Sequence, residues 1–440
     1  MFSATANGEA AMRRVHAILA AILVAPFVML APLSADAHRN PARLGNPDVI
    51  WEWNQIGVNT IAADNATTPP RKLPIEVYPY LAFMHAAMFN AVNGIHERYE
   101  GFRFDGEAPT GTSAEAAAVS AAHRVLVTYS PEQQATLDAA YAASLARIPD
   151  GLAKARGVAW GEFTAADTIA QRVGDGRNAA VFFTTPPAPG VWRPTPPANA
   201  AFHAPWLGYV RPMMVKSGEQ FDPGPPPAMT SKKYARDFNE VKSVGQAGST
   251  TRTAAQSALG TFYSGNPVVQ FTLALKDQAL DRRLDIVDSA RMFAAVHASL
   301  FDQAIAVWWT KHHYGFWRPI TAIRLADTDG NDATTADTTW NSVIPSPPYP
   351  DYVSGYNGAM GAFAGALGEL FGEDDIDLDL TSTASPGVVR HYDEVDDACE
   401  DVIDARVYLG IHFRFADTVA AEMGQDVAEY GLDHFFEEDD

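Results

Sequence analysis

The chain has 440 residues, a formal net charge of −21 and a single cysteine, Cys399. So negative a charge argues against binding to nucleic acid or to an anionic membrane surface, because both repel an acidic protein. One cysteine also excludes an intramolecular disulfide and structural zinc–thiolate or iron–sulfur sites, so the core alone must hold the fold.

The N-terminus predicts an export signal. Arg13 and Arg14 precede an apolar run over residues 17–33, and Ala35-Asp36-Ala37 has the pattern of a cleavage site. Two prolines interrupt the run and small residues follow it, which favours a cleaved signal peptide at residues 1–37 over a retained membrane anchor. We therefore expect a secreted protein, extracellular or periplasmic, and a mature domain over residues 38–440.

The N-terminal half of that domain, about residues 38–227, reads as helical after its first segment. Residues 38–72 have no clear period and predict an extended or loop segment. Apolar residues at helical spacing predict a core helix over residues 76–95, and we interpret His85 on it as a buried structural polar group. Further helices are predicted over residues 112–128, after Pro131 and over residues 150–173.

Proline and aromatic residues dominate residues 174–227 and predict an irregular crossover ordered by Trp192 and Trp206. This segment is the candidate boundary with the C-terminal half, about residues 228–440. Helices are predicted there over residues 232–244, 253–263, 268–280, 285–311 and 354–371, followed by helices that hold Arg406 and His412. Long strands are hard to find, so the predicted fold class is all-α.

Three stretches of the C-terminal half carry the groups that an oxyanion site needs. Lys311 and Arg318 stand seven apart, Ser354-Gly355 offers a hydroxyl and a backbone amide, and Arg406 precedes His412 by six positions. All but the histidine are donors suited to a tetrahedral oxyanion, and the imidazole is suited to bond its central atom. On a continuous helix Arg406 and His412 would point roughly 120° apart, so convergence needs a loop between them.

These stretches resemble three sequence blocks of the vanadium-dependent haloperoxidases and the type 2 phosphatidic-acid-phosphatase-like acid phosphatases. The family has Lys, six residues, Arg-Pro; then Pro-Ser-Gly-His; then Ser-Arg, five residues, His. Here the first block is Lys311 to Pro319, the second is Val353-Ser354-Gly355-Tyr356, and the third is Ala405-Arg406 with His412. The blocks come in the family's order, and Pro348-Tyr349-Pro350-Asp351-Tyr352 resembles its approach to the second block.

The resemblance implies a multi-helix, vanadium chloroperoxidase-like architecture of two packed bundles. It implies vanadate as cofactor, with phosphate able to occupy the same site, and hydrogen peroxide, halide and a small organic acceptor as partners. The oligomeric state stays open. The vanadate would be held by Lys311, Arg318, Ser354, Gly355, Arg406 and His412, with His412 as the metal ligand and Lys311, His412 and Tyr356 as the catalytic residues.

The departure from the family pattern is Tyr356, which replaces the histidine of the second block. A phenol is a poor base at neutral pH, so the replacement affects proton transfer more than anion binding, and His312 or His313 is an alternative base. Two alternatives to a haloperoxidase therefore stay open: an acid phosphatase with a histidine nucleophile, and a non-catalytic vanadate or phosphate binder. If the pocket keeps the family geometry, Tyr356→His should raise turnover at neutral pH. If Tyr356 instead fills a repacked pocket, the same substitution should not raise turnover.

Overall fold

The computed structural model describes residues 44–372 and 376–439, so the predicted signal peptide lies outside the described residues. Within these ranges the all-α prediction is confirmed, since thirteen α-helices are accompanied by one two-stranded antiparallel hairpin. The helices and strands are α1 Asp48–Asn65, α2 Val77–His96, α3 Ala114–Tyr129, α4 Gln134–Ala146, α5 Leu152–Gln171, α6 Lys232–Val244, α7 Ala254–Phe262, α8 Pro267–Asp281, α9 Ile286–Tyr314, α10 Pro319–Arg324, α11 Gly355–Phe371, β1 Leu378–Thr381, β2 Val389–Tyr392, α12 Val395–Tyr408 and α13 Arg414–Leu432. The division into two halves near residue 227 stays a prediction.

The first described helix, α1, corrects the prediction of a loop over residues 38–72. Its buried face includes Ile50 and Trp53, but also Asn54 and Asp64, which have no exposed surface. Polar residues on the buried face obscured the helical period in the sequence. Each has partners in the fold, since Lys72 Nζ donates to Asp64 Oδ2 at 2.7 Å and Asn54 binds neighbouring helices. A tertiary network therefore supports a helix whose sequence pattern is weak.

Helix α2 confirms the predicted core helix and is buried over almost its whole length. It packs against α3, α5 and α9. His85 on α2 is fully buried and its Nε2 lies 2.9 Å from Asn54 Oδ1, as expected for a structural polar group. The α2–α9 contact joins the N-terminal helices to the helix that carries Lys311.

The crossover between α5 and α6 is irregular, as predicted, and is anchored by buried side chains. Trp192 and Trp206 are both buried. A second anchor is Asp302 on α9, whose carboxylate accepts hydrogen bonds from three consecutive backbone amides of the crossover, residues 213–215, at 2.6–2.9 Å. These bonds satisfy a fully buried carboxylate and fix the crossover on α9.

Helix α9 is the longest helix in the described part of the chain, and its last turn contains Lys311, the first residue of the first donor block. Asp285 caps its N-terminus by accepting from the amides of Val287 and Asp288. Gly315 ends it with φ of 53°, a conformation that glycine adopts without a steric penalty, and its amide donates to Lys311 O at 3.0 Å. Lys311 therefore lies in the last turn of a rigid, buried helix.

Helices α11 and α13 pack closely through small residues. A β-carbon at Gly424 on α13 would collide with the backbone of α11 at Gly358 and Ala362, so glycine is required at this crossing. Small residues at this crossing therefore permit the close approach of the two helices. This crossing places the start of α11, with Ser354 and Gly355, beside the start of α13. No helix within residues 44–372 and 376–439 has the length and apolarity needed to cross a membrane.

Candidate functional site

The three donor blocks lie at the ends of helices. Arg318 precedes α10, Ser354 and Gly355 begin α11, and Arg406 lies in the last turn of α12. His412 is not helical, contrary to the prediction that the last helices hold it, because Gly410 turns the chain with φ of 76° between α12 and α13. This turn supplies the loop that a convergence of Arg406 and His412 requires.

Lys311 is fully buried and anchored by two backbone carbonyls. Its Nζ donates to Pro350 O at 2.7 Å and to Asp351 O at 3.0 Å, and it lies 5.0 Å from the centre of the Tyr349 ring. Burial is the main cause that lowers the pKa of Lys311 well below its usual value, and the positive charge of Arg318 lowers it further. An anion nearby would offset both effects.

Arg318 is also fully buried and reaches across the site. Its Nε donates to Tyr349 O at 2.8 Å and its Nη1 donates to Ile411 O at 2.7 Å. Its second terminal nitrogen, Nη2, is buried and has no hydrogen-bond partner among the described residues. A buried guanidinium donor without a partner is costly, and an oxyanion oxygen is the acceptor that guanidinium matches best.

Arg318 contacts the imidazole of His412 through one terminal nitrogen. Arg318 Nη1 lies 3.0 Å from His412 Nε2 and 3.4 Å from His412 Nδ1. Because a guanidinium only donates, the shorter contact favours the tautomer with its proton on Nδ1. Burial lowers the pKa of His412 well below its usual value, and the charges of Arg318, Lys311 and Arg406 lower it further. His412 is thus neutral, with a lone pair on Nε2.

Asp351 lies on the other side of the same imidazole. Its Oδ1 is 2.9 Å from His412 Nδ1 and 3.7 Å from Arg318 Nη1, although neither approach has the alignment of a good hydrogen bond. Burial raises the pKa of Asp351 to about 7, against the lowering effect of Arg318 and Lys311. Asp351 therefore lies beside His412 Nδ1 without a well-aligned hydrogen bond to it, and its carboxyl titrates near neutral pH.

Arg406 and Tyr356 form a second contact at the edge of the site. Arg406 Nη1 donates to Tyr263 O at 2.9 Å, while its Nε has no partner among the described residues. Its guanidinium lies 5.0 Å from the centre of the Tyr356 ring. The Tyr356 hydroxyl donates to Gln270 Oε1, and burial raises its pKa far above the usual value. Tyr356 therefore stays neutral and its hydrogen bond supports a packing role.

Ser354 is held from behind by two residues that the sequence reasoning did not identify. Asn357 Nδ2 donates to Ser354 Oγ at 3.2 Å and to Asp417 Oδ1 at 2.7 Å. Burial raises the pKa of Asp417 well above its usual value, the neighbouring Asp351 raises it further, and a side-chain hydrogen bond with Ser354 acts against both.

The donor set fits a tetrahedral oxyanion. Three basic side chains, Lys311, Arg318 and Arg406, are at most 7% exposed, and burial lowers the pKa of each. Two of them have buried N–H groups without acceptors in the part of the chain that the structure describes, and both nearby carboxyl groups have pKa values raised by burial. A bound oxyanion would supply the missing acceptors and the missing negative charge.

A cavity of about 610 Å³ opens onto this site. Its wall includes Gly355, Tyr356, Arg406 and His412, together with His203 from the crossover. His203 is half-buried, and burial lowers its pKa below the usual 6.5. The two histidines that the sequence offered as alternative bases to Tyr356 do not line the cavity. His312 Nδ1 is 2.7 Å from the Tyr209 hydroxyl, and His313 stacks on Trp309.

Sequence reasoning missed Asp351, Tyr349 and His203. Tyr349 and Asp351 lie in the segment that resembles the family's approach to the second block, so that segment was a signal for both. His203 lies in a proline-rich crossover far from the other blocks, and nothing in its local sequence marks it. The structure brings the predicted site residues together, and Tyr356 among them is hydrogen-bonded to Gln270. The predicted residues are Lys311, Arg318, Ser354, Gly355, Tyr356, Arg406 and His412.

The fold and site define a helical protein with a buried, cationic oxyanion cluster around a neutral histidine. Residues 291–437 match the family model of the second helical-bundle domain of VCPO. The vanadium chloroperoxidase of Curvularia inaequalis is 23% identical over 289 residues, which are 50% of this chain and 47% of that protein. The chain thus spans about half the length of this curated relative.

Solved structures agree with these matches. A bacterial vanadium-dependent iodoperoxidase superposes with a TM-score of 0.76 at 22% identity, covering 90% of this chain and 98% of its own. The holo form of a bacterial vanadium-dependent chloroperoxidase gives a TM-score of 0.68 at 17% identity, covering 88% and 97%. The three comparisons together show that this chain is similar to vanadium haloperoxidases, in sequence over part of its length and in fold over most of it.

Proposed function

We propose that the chain is an exported, vanadate-dependent haloperoxidase that oxidises halide with hydrogen peroxide to hypohalous acid. The observation that carries the proposal is the neutral His412 beside three buried basic side chains, two of which have unpaired N–H donors. The similarity to vanadium haloperoxidases supports the same function. Phosphate would occupy the same site, because it presents the same tetrahedral set of oxygens.

The residues that would hold vanadate are Lys311, Arg318, Ser354, Gly355, Arg406 and His412. When bound, vanadate supplies a Lewis-acidic centre that takes up hydrogen peroxide and makes it electrophilic toward halide. His412 Nε2 has one lone pair, which now accepts from Arg318 Nη1. If His412 Nε2 held the vanadate, Arg318 Nη1 would be free to donate that hydrogen bond to an oxyanion oxygen instead. Each preorganised donor of this kind is worth roughly 3–4 kcal/mol where charge develops.

We assign proton transfer in this site to His203 in preference to Tyr356. The raised pKa of Tyr356 and its bond to Gln270 make it a poor base. His203 shares the cavity wall with His412, and its lowered pKa keeps it unprotonated at neutral pH. A neutral histidine in the cavity wall can accept a proton from a bound reactant.

The test is reconstitution of the full chain with orthovanadate, followed by a halide assay. We expect bromination of a phenolic indicator with peroxide and bromide, and a slower reaction with chloride. Hydrolysis of a nitrophenyl phosphate without halide oxidation would replace the proposal by an acid phosphatase. Tight vanadate binding without either activity would identify a non-catalytic binder.

Export is a separate part of the proposal. It rests on the apolar run at residues 17–33 and on the Ala35-Asp36-Ala37 pattern. Sequencing the N-terminus of protein recovered from its native culture should give a start directly after Ala37. A protein that keeps its first residues and stays with the cells would contradict this part and leave the haloperoxidase proposal unaffected.

A further inference from the structure

The wall of the cavity in front of the oxyanion cluster has two chemically different parts. Arg406, His412 and Tyr356 are neighbours in it and form the part called the His412 end. Most of the remaining wall is apolar and comes from several parts of the chain. It includes Val58 and Ile61 of α1, Val269 of α8, Trp308 of α9, and Ile344 and Pro348 of the loop before α11.

The cavity is much larger than the small reactants require. A water molecule occupies about 30 Å³ of liquid, so a halide, a peroxide and a tetrahedral oxyanion together fill roughly 200 Å³. The cavity of about 610 Å³ leaves most of its volume free, and that free part is lined by apolar groups. Cavities of about 300–1,000 Å³ with mostly apolar walls and a few polar groups typically hold organic ligands.

We propose that this cavity binds an apolar organic acceptor of about 10–20 non-hydrogen atoms, carrying an electron-rich aromatic ring, against the His412 end. This inference rests on the proposed haloperoxidase function for its chemistry, but not for the binding itself. A neutral molecule is favoured, because a cationic one would meet Arg406 and an anionic one would compete for the oxyanion cluster.

The chemistry of the bound acceptor follows from the product of halide oxidation. Hypohalous acid transfers its halogen to a ring carbon: the carbon–halogen bond forms as the halogen–oxygen bond breaks. The displaced ring proton combines with the hydroxide that is released, giving water. Peroxide is the oxidant and halide the halogen source, so the atoms and electrons balance. Holding the ring inside the cavity would limit which of its carbons meets the halogen.

The binding test uses 4-alkylphenols of increasing chain length and the vanadate-loaded full chain, by calorimetry without peroxide or halide. Each added methylene that enters the apolar wall should tighten binding about three- to fourfold, until the cavity is full. The affinity should then level off. An affinity that does not depend on chain length, or binding that does not saturate at one site per chain, overturns the proposal.

Paired variants localise the binding. Val269→Trp, on a half-buried residue of the wall, should weaken binding of the longest alkylphenol at least tenfold, because the indole fills the cavity. The control is Leu273→Trp, four residues further along α8, which is 41% exposed and outside the cavity wall. Equal affinity in the two variants overturns the proposal.

A second pair guards against a folding defect in the first. Ile344→Trp alters the cavity wall in a loop, and Val343→Trp is its control, since Val343 is 39% exposed and outside the wall. Triiodide formation from iodide and peroxide, measured without any acceptor, tests the haloperoxidase function separately. If the protein binds alkylphenols but forms no triiodide, the haloperoxidase function is rejected and the acceptor site is kept. If it forms triiodide normally but binds no alkylphenol, the acceptor site is rejected and the function is kept.

Discussion

Two buried polar clusters that contain histidine lie along α9. They share burial and a lowered histidine pKa, but they differ in charge, in hydrogen-bond partners and in access to the cavity. In the middle of α9, His297 and His85 stack in parallel with ring centres 4.7 Å apart, and each places its Nε2 within 2.9 Å of Asn54 Oδ1. At the end of α9, His412 lies among three basic side chains and two carboxylates. Burial lowers the histidine pKa values in both clusters.

The difference shows which signals mark a site. Burial and a lowered pKa are common to both clusters, so neither identifies the functional one. The site cluster also has excess positive charge, unpaired guanidinium donors and a wall on a large cavity. The core cluster has neither basic side chains nor a residue in that cavity wall, and its bonds join α1, α2 and α9. It is best explained as a structural network.

The largest expected effect separates the two clusters directly. His412→Ala should abolish vanadate retention, because the bond to the central atom is lost, whereas Lys311→Ala and Arg406→Ala should only weaken it. The matched control is His297→Ala, which should leave vanadate affinity within about twofold but lower the unfolding free energy by about 2–4 kcal/mol. Calorimetry with vanadate and thermal unfolding measure both quantities. Equal vanadate affinity in wild type and His412→Ala would remove His412 from the site.

The second effect concerns His203 and turnover. His203→Phe should lower kcat by about 10²-fold or more, the usual contribution of general acid–base catalysis, with vanadate affinity little changed. Burial lowers the pKa of His203, so the wild-type rate should rise with pH through a pKa below 6.5 as the imidazole loses its proton. The pH–rate profile of His203→Phe should lack this rise. A normal kcat with the same pH profile would exclude His203 from proton transfer.

The contrast between the clusters also shows what the sequence could and could not predict. The three donor blocks were identified because their spacing is local, and the long apolar period predicted α2 and α9 closely. Asn54 and Asp64 obscured α1, because buried polar residues break the period that marks a helix. Asp351 lies in the segment 348–352 that resembles the family's approach to the second block, so the sequence held a signal for it. His203 joins the site through tertiary packing of a crossover far from the three blocks, and no local pattern encodes that contact.

A smaller effect comes from Asp351. Its pKa of about 7 means that it gains a proton as pH falls through neutrality, which removes a negative charge beside the cluster. Sulfate keeps its charge over this range, so its affinity should rise about three- to tenfold from pH 8 to pH 6, up to one linked proton per anion. Asp351→Asn should bind sulfate with little pH dependence. A wild-type affinity that is flat with pH would place the titration elsewhere.

The smallest expected effect on the site is that of Tyr356→Phe. Vanadate affinity should stay within about twofold, while the unfolding free energy falls by about 1–3 kcal/mol because Gln270 Oε1 loses its buried donor. The pair Tyr356→Phe and Tyr356→His tests the alternative. If Tyr356→His instead raises turnover by an order of magnitude, position 356 takes part in catalysis. A histidine there would then act as the second-block histidine of the family pattern does.

The burial of a cationic cluster inside a chain of net charge −21 has a consequence for how fast the site is loaded. An approaching oxyanion meets a repulsive field before it reaches any attractive one, so the association rate should be low at low ionic strength. Added salt screens that field, with a Debye length of about 8 Å at 0.15 M, and should accelerate loading. The short-range contacts inside the cluster are shielded from solvent, so the dissociation rate should depend much less on salt.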